Sequence, residues 1–284
     1  MSKAVTTRPG PTTRIRVMEL SGSTTRERRD DLTTEEPLEI RLTAHDGTRK
    51  TVAITMRTPG HDFELATGFL HGEGLAGAGD IAAIAYCTDE DLPPEARYNT
   101  VTVRLRGPIP DLPALERHFL TSSACGVCGS ASLDALHDRC KPVPRGRLAL
   151  TPEFLYRLPD ALRAAQGLFG KTGGLHAAGL FSAAGTLVAL REDVGRHNAV
   201  DKLVGWAGLT ERLPLAEHLL MVSGRTSYEI MQKALAAGIP AVCSVSAPSS
   251  LAVELAREFG ITLVGFLRGE RCNVYAGSER IVVE

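Results

Sequence analysis

Apolar and polar positions alternate with a period of two in two early stretches, Leu38-Glu39-Ile40-Arg41-Leu42 and Thr51-Val52-Ala53-Ile54. Asp46-Gly47 between them supplies the turn of a β-hairpin. A strand with one buried face requires this alternation, because successive side chains point to opposite sides. Upstream, residues 1–13 are rich in Thr, Pro and Arg and read as a flexible tail, and Arg14 to Leu20 as a short strand. Thr24 to Asp31 holds no apolar residue and reads as a solvated loop. Downstream, Thr58-Pro59-Gly60-His61-Asp62 opens a helix to about Leu75, with Phe63, Ala66, Phe69 and Leu70 as its apolar face. Ile81 to Cys87 and Thr100 to Leu105 read as strands, and Leu112 to Phe119 and Ser130 to Leu136 as short helices.

Beyond the surface linker Pro142 to Arg147 the period changes. A helix over Pro152 to Leu168 precedes Thr172-Gly173-Gly174, a hairpin of His176 to Ser182 and Thr186 to Leu190, and a helix over Asn198 to Trp206. Strands Leu219 to Val222, Ala241 to Ser244 and Thr262 to Phe266 then alternate with helices Ser227 to Ala237 and Ser249 to Phe259. That order predicts an α/β architecture with a mixed or parallel sheet under helical cover. The expected divisions are a flexible N-terminal segment (1–36), an N-terminal β-rich α+β region (37–120), a cysteine loop and linker (121–147) and a larger α/β domain (148–284).

Composition narrows the class. With 284 residues, 43% of them hydrophobic and 23% charged, the chain reads as an ordinary soluble globular protein. A formal net charge of -1 gives no field for nucleic acid or an anionic membrane. No apolar run reaches the roughly 20 residues of a membrane span, and residues 1–14 lack a signal-peptide core. Six cysteines, of which one pair has a motif spacing, are not a secreted disulfide scaffold, so the expected location is the cytoplasm with reduced thiols.

The chemically loaded stretch is Ser122-Ser123-Ala124-Cys125-Gly126-Val127-Cys128-Gly129. Two thiols at this spacing suit a redox pair, half of a zinc site, or a sulfur-carrying nucleophile with a neighbour. Two small core residues would be the bland alternative. His176 with Cys125 and Cys128 equals in number the ligands of the zinc nucleobase deaminases, but Ala178 stands where their proton-transferring Glu would be. No second C-x-x-C provides further ligands, and no metal ligand is assigned. Two strand-to-helix turns, Ser223-Gly224-Arg225 with Thr226-Ser227, and Ser246 to Ser250, belong at the carboxyl edge of a parallel sheet, where helix N-termini and hydroxyls bind phosphate or simply cap helices. A third segment, Phe266-Leu267-Arg268-Gly269-Glu270-Arg271, follows the last parallel strand into the same crevice. The polar run Arg191 to Lys202 reads as a wall of a site, with His197 and Asp201 one turn apart and able to pair.

Taken in order, Arg57-Thr58-Pro59-Gly60-His61-Asp62, the Cys125 motif, Thr172 to Ala178, Glu192 to Lys202, Ser223-Gly224-Arg225 and the C-terminal Arg-Gly-Glu-Arg resemble the formate dehydrogenase accessory sulfurtransferases, the FdhD family. The resemblance runs from about Pro37 to the C-terminus. It implies a cytidine-deaminase-like larger domain. It also implies a sulfurtransferase in which a cysteine desulfurase loads a cysteine as persulfide, and the sulfur passes to the molybdenum bis(molybdopterin guanine dinucleotide) cofactor of the formate dehydrogenase catalytic subunit. Carried onto this chain, Cys125 is the persulfide carrier and Cys128 its neighbour. Phe266, Leu267, Arg268, Gly269, Glu270 and Arg271, with Ser223, Gly224 and Arg225, line the cofactor site, and Cys272 beside them is a packing residue. A cofactor-binding chaperone without sulfur chemistry is the alternative. A zinc-dependent hydrolase and a thiol-disulfide oxidoreductase rank behind it. The sequence fixes no oligomeric state and is compatible with a homodimer.

Overall fold

The structure, a computed structural model, describes residues 8–87, 97–110, 136–137, 140–143 and 148–283. Strands β1 (Thr12–Ser21) and β2 (Thr24–Thr33) form an antiparallel hairpin paired along its full length about Gly22, whose φ is +59°. The expected loop at Thr24 to Asp31 is therefore a strand. Cross-strand pairs hold it rather than apolar burial, Arg14 with Asp31 at 2.6 Å and Arg26 with Glu19, so alternation of apolar residues could not announce it.

β3 (Glu36–Thr43) and β4 (Arg49–Arg57) form the expected hairpin, with the Thr48 amide donating to Asp46 Oδ1 at 2.8 Å in its turn. With β5 (Ile81–Tyr86) and β6 (Thr100–Leu105) they make a sheet of order β4-β3-β6-β5, in which β3 and β6 run parallel. Helix α1 (Asp62–Gly72) covers it and closes a core of Leu38, Ile40, Leu42, Leu65, Leu70 and Val101. Each such leucine contributes about 1.5–3 kcal/mol on full burial. The buried stripe of α1 is Leu65, Ala66 and Leu70, while Phe63 and Phe69 are only half-buried against the same core.

The larger domain begins with α2 (Pro152–Ala165), capped by the Thr151 hydroxyl accepting from the Phe154 amide at 3.2 Å. The single helix expected to Leu168 breaks at Gln166 (ψ 79°), and α3 (Gly167–Thr172) follows as a separate piece. Then come β7 (His176–Ser182), β8 (Leu187–Asp193), α4 (Arg196–Leu209), β9 (His218–Val222), α5 (Tyr228–Ala236), β10 (Ala241–Ser244), α6 (Ser250–Glu258), β11 (Thr262–Arg268) and β12 (Arg271–Ala276). The six strands form one mixed sheet of order β12-β11-β10-β9-β7-β8, with β9, β10 and β11 parallel. One face packs Val200, Leu203, Ile230, Met231 and Leu255 of α4, α5 and α6 against Leu220 and Val242. The opposite face packs Phe154, Leu155, Leu158 and Leu162 of α2 against Met221, Cys243 and Val264. This is the three-layer α/β arrangement that alternating strands and helices demand.

The two parts meet where α1 crosses α4. A Cβ on Gly68 would lie 1.8 Å from the Asp201 carbonyl oxygen, and one on Gly205 would lie 1.8 Å from that of Glu64. Only glycine at both positions permits this approach. Beside the crossing, Arg57 pairs with Asp62, Arg191 with Glu64 at 2.5 Å, and Lys202 with Asp193 at 2.6 Å. Among the described residues no helix is long and apolar enough to cross a membrane.

Candidate functional site

The parallel register of β9, β10 and β11 brings their carboxyl ends to one edge, as a right-handed β-α-β succession requires. The three segments that leave this edge are joined by backbone bonds. The Thr226 amide donates to the Ala247 carbonyl at 3.3 Å, and the Ser249 amide to the Thr226 carbonyl at 2.9 Å. The Phe266 amide donates to the Ser246 carbonyl at 3.1 Å, and Arg268 Nε to the Val245 carbonyl at 3.0 Å. The structure thus gathers the predicted Ser223 to Arg225 and Phe266 to Arg271 segments on one surface, with residues 245–249 between them.

Within the last segment the side chains divide. Phe266, Arg268, Gly269, Glu270 and Arg271 are exposed, as is Arg225 on the neighbouring turn. Leu267 is the correction: it is fully buried with Cys243 and Val264, so its side chain belongs to the core and cannot line a surface site. Phe266 and Leu267 fall in a β-bulge between the pairs Gly265 with Asn273 and Arg268 with Arg271. Phe266 adopts φ +52°, a conformation costly for a bulky side chain, and remains 39% exposed. Cys272 is half-buried against the α2-side core, and burial raises its thiol pKa, which fits a packing residue.

The Ser223 hydroxyl accepts from the Ala177 amide at 2.8 Å and so ties β9 to β7. Ser249 caps α6 by accepting from the Ala252 amide at 3.3 Å, but Ser227, the N-cap of α5, makes no capping bond. Its hydroxyl sits 3.0 Å from His197 Nε2 instead. The expected pairing of His197 with Asp201 does not occur. Asp201 turns inward to Lys233 at 2.8 Å, while His197 turns to the edge, where Glu229 lies 3.7 Å away. Burial, then the neighbouring Arg196, lowers His197 to about 4, and the same two causes lower His176.

The polar run Arg191 to Lys202 is mostly a lock between domains rather than a wall of a site. Glu192 ties β8 to α3 within the larger domain, accepting from the Leu168 and Phe169 amides at 3.0 and 2.8 Å, and the residues after it cross to the smaller one. Asp193 accepts from the Thr58 amide at 3.1 Å, and Lys202 donates to the Thr58 carbonyl at 2.9 Å. Arg196 and His197, which face the edge, are the exceptions. Sequence spacing could not separate them from the lock, because both belong to one dense polar run.

Cys125 and Cys128 lie outside the described residues. Among the described residues no group of three or more His, Cys, Asp or Glu could hold a metal ion. An open groove of about 560 Å³ lies elsewhere, between Arg8, Pro11, His61 and Tyr86. Its acidic groups are already engaged, Asp62 by Arg57 and Glu64 by Arg191.

Comparison with known proteins adds the family. The model of the FdhD/NarQ family matches residues 33–282. A sulfur carrier protein FdhD of Streptomyces avermitilis is 52% identical over 96% of this chain and 96% of its own length. One from Mycobacterium tuberculosis is 49% identical over 94% of this chain and 97% of its own. The crystal structure of a formate dehydrogenase accessory protein from Desulfotalea psychrophila superposes with a TM-score of 0.72 at 25% identity, covering 95% of this chain and 99% of that one. A match of this extent, in both sequence and fold, means that the chain belongs to the FdhD/NarQ family.

Proposed function

We propose that this protein is a sulfur carrier that serves formate dehydrogenase. A cysteine desulfurase bearing a persulfide is attacked at its outer sulfur by the Cys125 thiolate. The desulfurase leaves as thiolate, and Cys125 holds the sulfur as persulfide, with Cys128 placed to assist by exchange. The acceptor is the molybdenum bis(molybdopterin guanine dinucleotide), bound here as substrate before it reaches the catalytic subunit of formate dehydrogenase. The reading carries with it a cytoplasmic location, and its larger domain is read as cytidine-deaminase-like, with Ala178 denying deamination.

The observation that supports it best is the convergence of residues 223–227, 245–249 and 266–271 on one sheet edge, in a chain whose relatives are sulfur carriers. Arg225, Arg268 and Arg271 are exposed there and suit phosphate oxygens, and Phe266 presents an aromatic face to a base. Incubation with a cysteine desulfurase and cysteine is expected to add one sulfur to Cys125, read by mass spectrometry. Cys125→Ala should abolish the gain. Undiminished persulfide in that variant would sink the assignment, and a variant lacking both cysteines that still matures formate dehydrogenase would favour a carrier of cofactor alone.

A further inference from the structure

The motif Arg57-Thr58-Pro59-Gly60-His61-Asp62 has no task in the sulfur-carrier reading. Its Pro59 to Asp62 part lines the open groove of about 560 Å³ at the start of α1. Gly60 and His61 both take left-handed backbone, φ +116° and +57°, and the His61 ring stays exposed at the groove. For histidine this conformation is uncommon and costs energy, as strain kept at binding sites does. The remaining lining is largely apolar. Phe63 and Tyr86 pack with ring centroids 4.7 Å apart, and Leu209 adds an exposed side chain.

A segment of this chain already borders the groove. In Arg8-Pro9-Gly10-Pro11 the Arg8 guanidinium lies 4.8 Å over the Tyr86 ring centroid and 3.8 Å from Asp62 Oδ2. Charge explains why a guanidinium settles there. Glu36 and Asp62 share Arg57, at 3.6 and 3.2 Å, while Glu64 takes Arg191 and lies 3.1 Å from the His61 ring. Three carboxylates against two arginines leave room for one more cation. Yet Arg8 is held loosely: its side chain is 45% exposed, and 3.8 Å is too long for a hydrogen bond to Asp62. Such a contact amounts to a cation–π attraction and a screened ion pair. The groove residues from Pro59 to Leu209 fall within the stretch 33–282 matched by the family model, whereas Arg8 to Pro11 precede it.

We propose that this groove docks an extended segment of a partner protein bearing an arginine followed by proline, and that Arg8 to Pro11 occupies it in cis until displaced. Proline in the incoming segment presets an extended backbone and lowers the entropy lost on docking, and aromatic-lined grooves suit such segments. The arginine stacks on Tyr86 beside Asp62, where Arg8 now lies. The docking uses none of the carboxyl-edge residues and does not depend on Cys125.

The test titrates the full chain carrying Arg8→Ala with a peptide of residues 6–12, Thr-Thr-Arg-Pro-Gly-Pro-Thr, and follows the His61 imidazole by NMR. His61→Asn, which tolerates left-handed backbone, assigns that resonance by its loss. The resonance is expected to shift saturably. The unsubstituted chain should need about tenfold more peptide, because a tethered segment competes at roughly millimolar effective concentration. A peptide with alanine in place of its arginine should leave the resonance unmoved. A resonance unmoved by millimolar peptide in Arg8→Ala, or moved equally by the alanine peptide, overturns the docking. Equal affinities in the two chains overturn the cis role of Arg8. Neither result bears on persulfide loading at Cys125, which is scored separately.

Discussion

Two faces of the first turns of α4 carry similar residues to opposite ends. On the inward face Asp193, Asn198, Asp201 and Lys202 are buried and paired, Lys202 with Asp193 and Thr58, Asn198 with the Met56 carbonyl at 2.8 Å, and Asp201 with Lys233. On the outward face Arg196 keeps a buried Nε without a partner, and His197 is held neutral beside it. A buried polar group that is not satisfied is costly, and on the inward face the buried charges are compensated by ion pairs, Asp201 Oδ1 by the Lys233 ammonium at 2.8 Å. The same eleven-residue motif, Glu192 to Lys202, thus fastens the two domains and furnishes one end of the candidate site.

The comparison breaks first on its structural side. Lys202→Met should cost about 3–5 kcal/mol, because it strands the Asp193 carboxylate in the interior. Urea unfolding reads this, and a loss below 1 kcal/mol would show that the lock is not the inward face's role. Gly205→Ala should cost about 3 kcal/mol, since the new methyl meets the Glu64 carbonyl and the helices must separate. A thermal midpoint that does not move would contradict the close crossing.

On the outward face the expected effect is smaller and depends on pH. The folded pKa of His197, about 4, lies below the usual 6.5, so between these values the unfolded chain binds a proton that the folded chain refuses. Stability is therefore lost as pH falls through this window, by about 2 kcal/mol at pH 5. His197→Gln should flatten the difference between unfolding free energies at pH 7 and pH 5. An equally steep dependence in that variant would assign the proton to another group.

Much of the fold was legible in the chain. The alternation at Leu38 to Leu42 places β3, the Asp46-Gly47 turn sets the hairpin, and the run of short strands and helices after Leu219 gives the parallel core of the larger sheet. In the first hairpin β1 was legible at Arg14 to Leu20, but β2 was not, because its residues from Thr24 to Asp31 include no apolar one and charge pairs across strands leave no periodic signal. β12 was not legible either, since half of its residues are exposed on an edge strand and only Ala276 is buried. In the site, the segments Ser223 to Arg225 and Phe266 to Arg271 were readable as strand-end turns. That Leu267 turns inward while Phe266 turns outward depends on a bulge, which no spacing encodes.

The amino-acid sequence by itself determined the family motifs, the Cys125 pair and the succession of elements, because local periodicity and turn chemistry act over a few residues. Tertiary structure alone decided which members of the polar run at Glu192 to Lys202 are spent on the domain junction and which face the carboxyl edge. His197 and Asp201 look like partners along the helix, yet Ser227 draws one and Lys233 the other. Those competing partners come from α5, and only packing brings α5 beside α4.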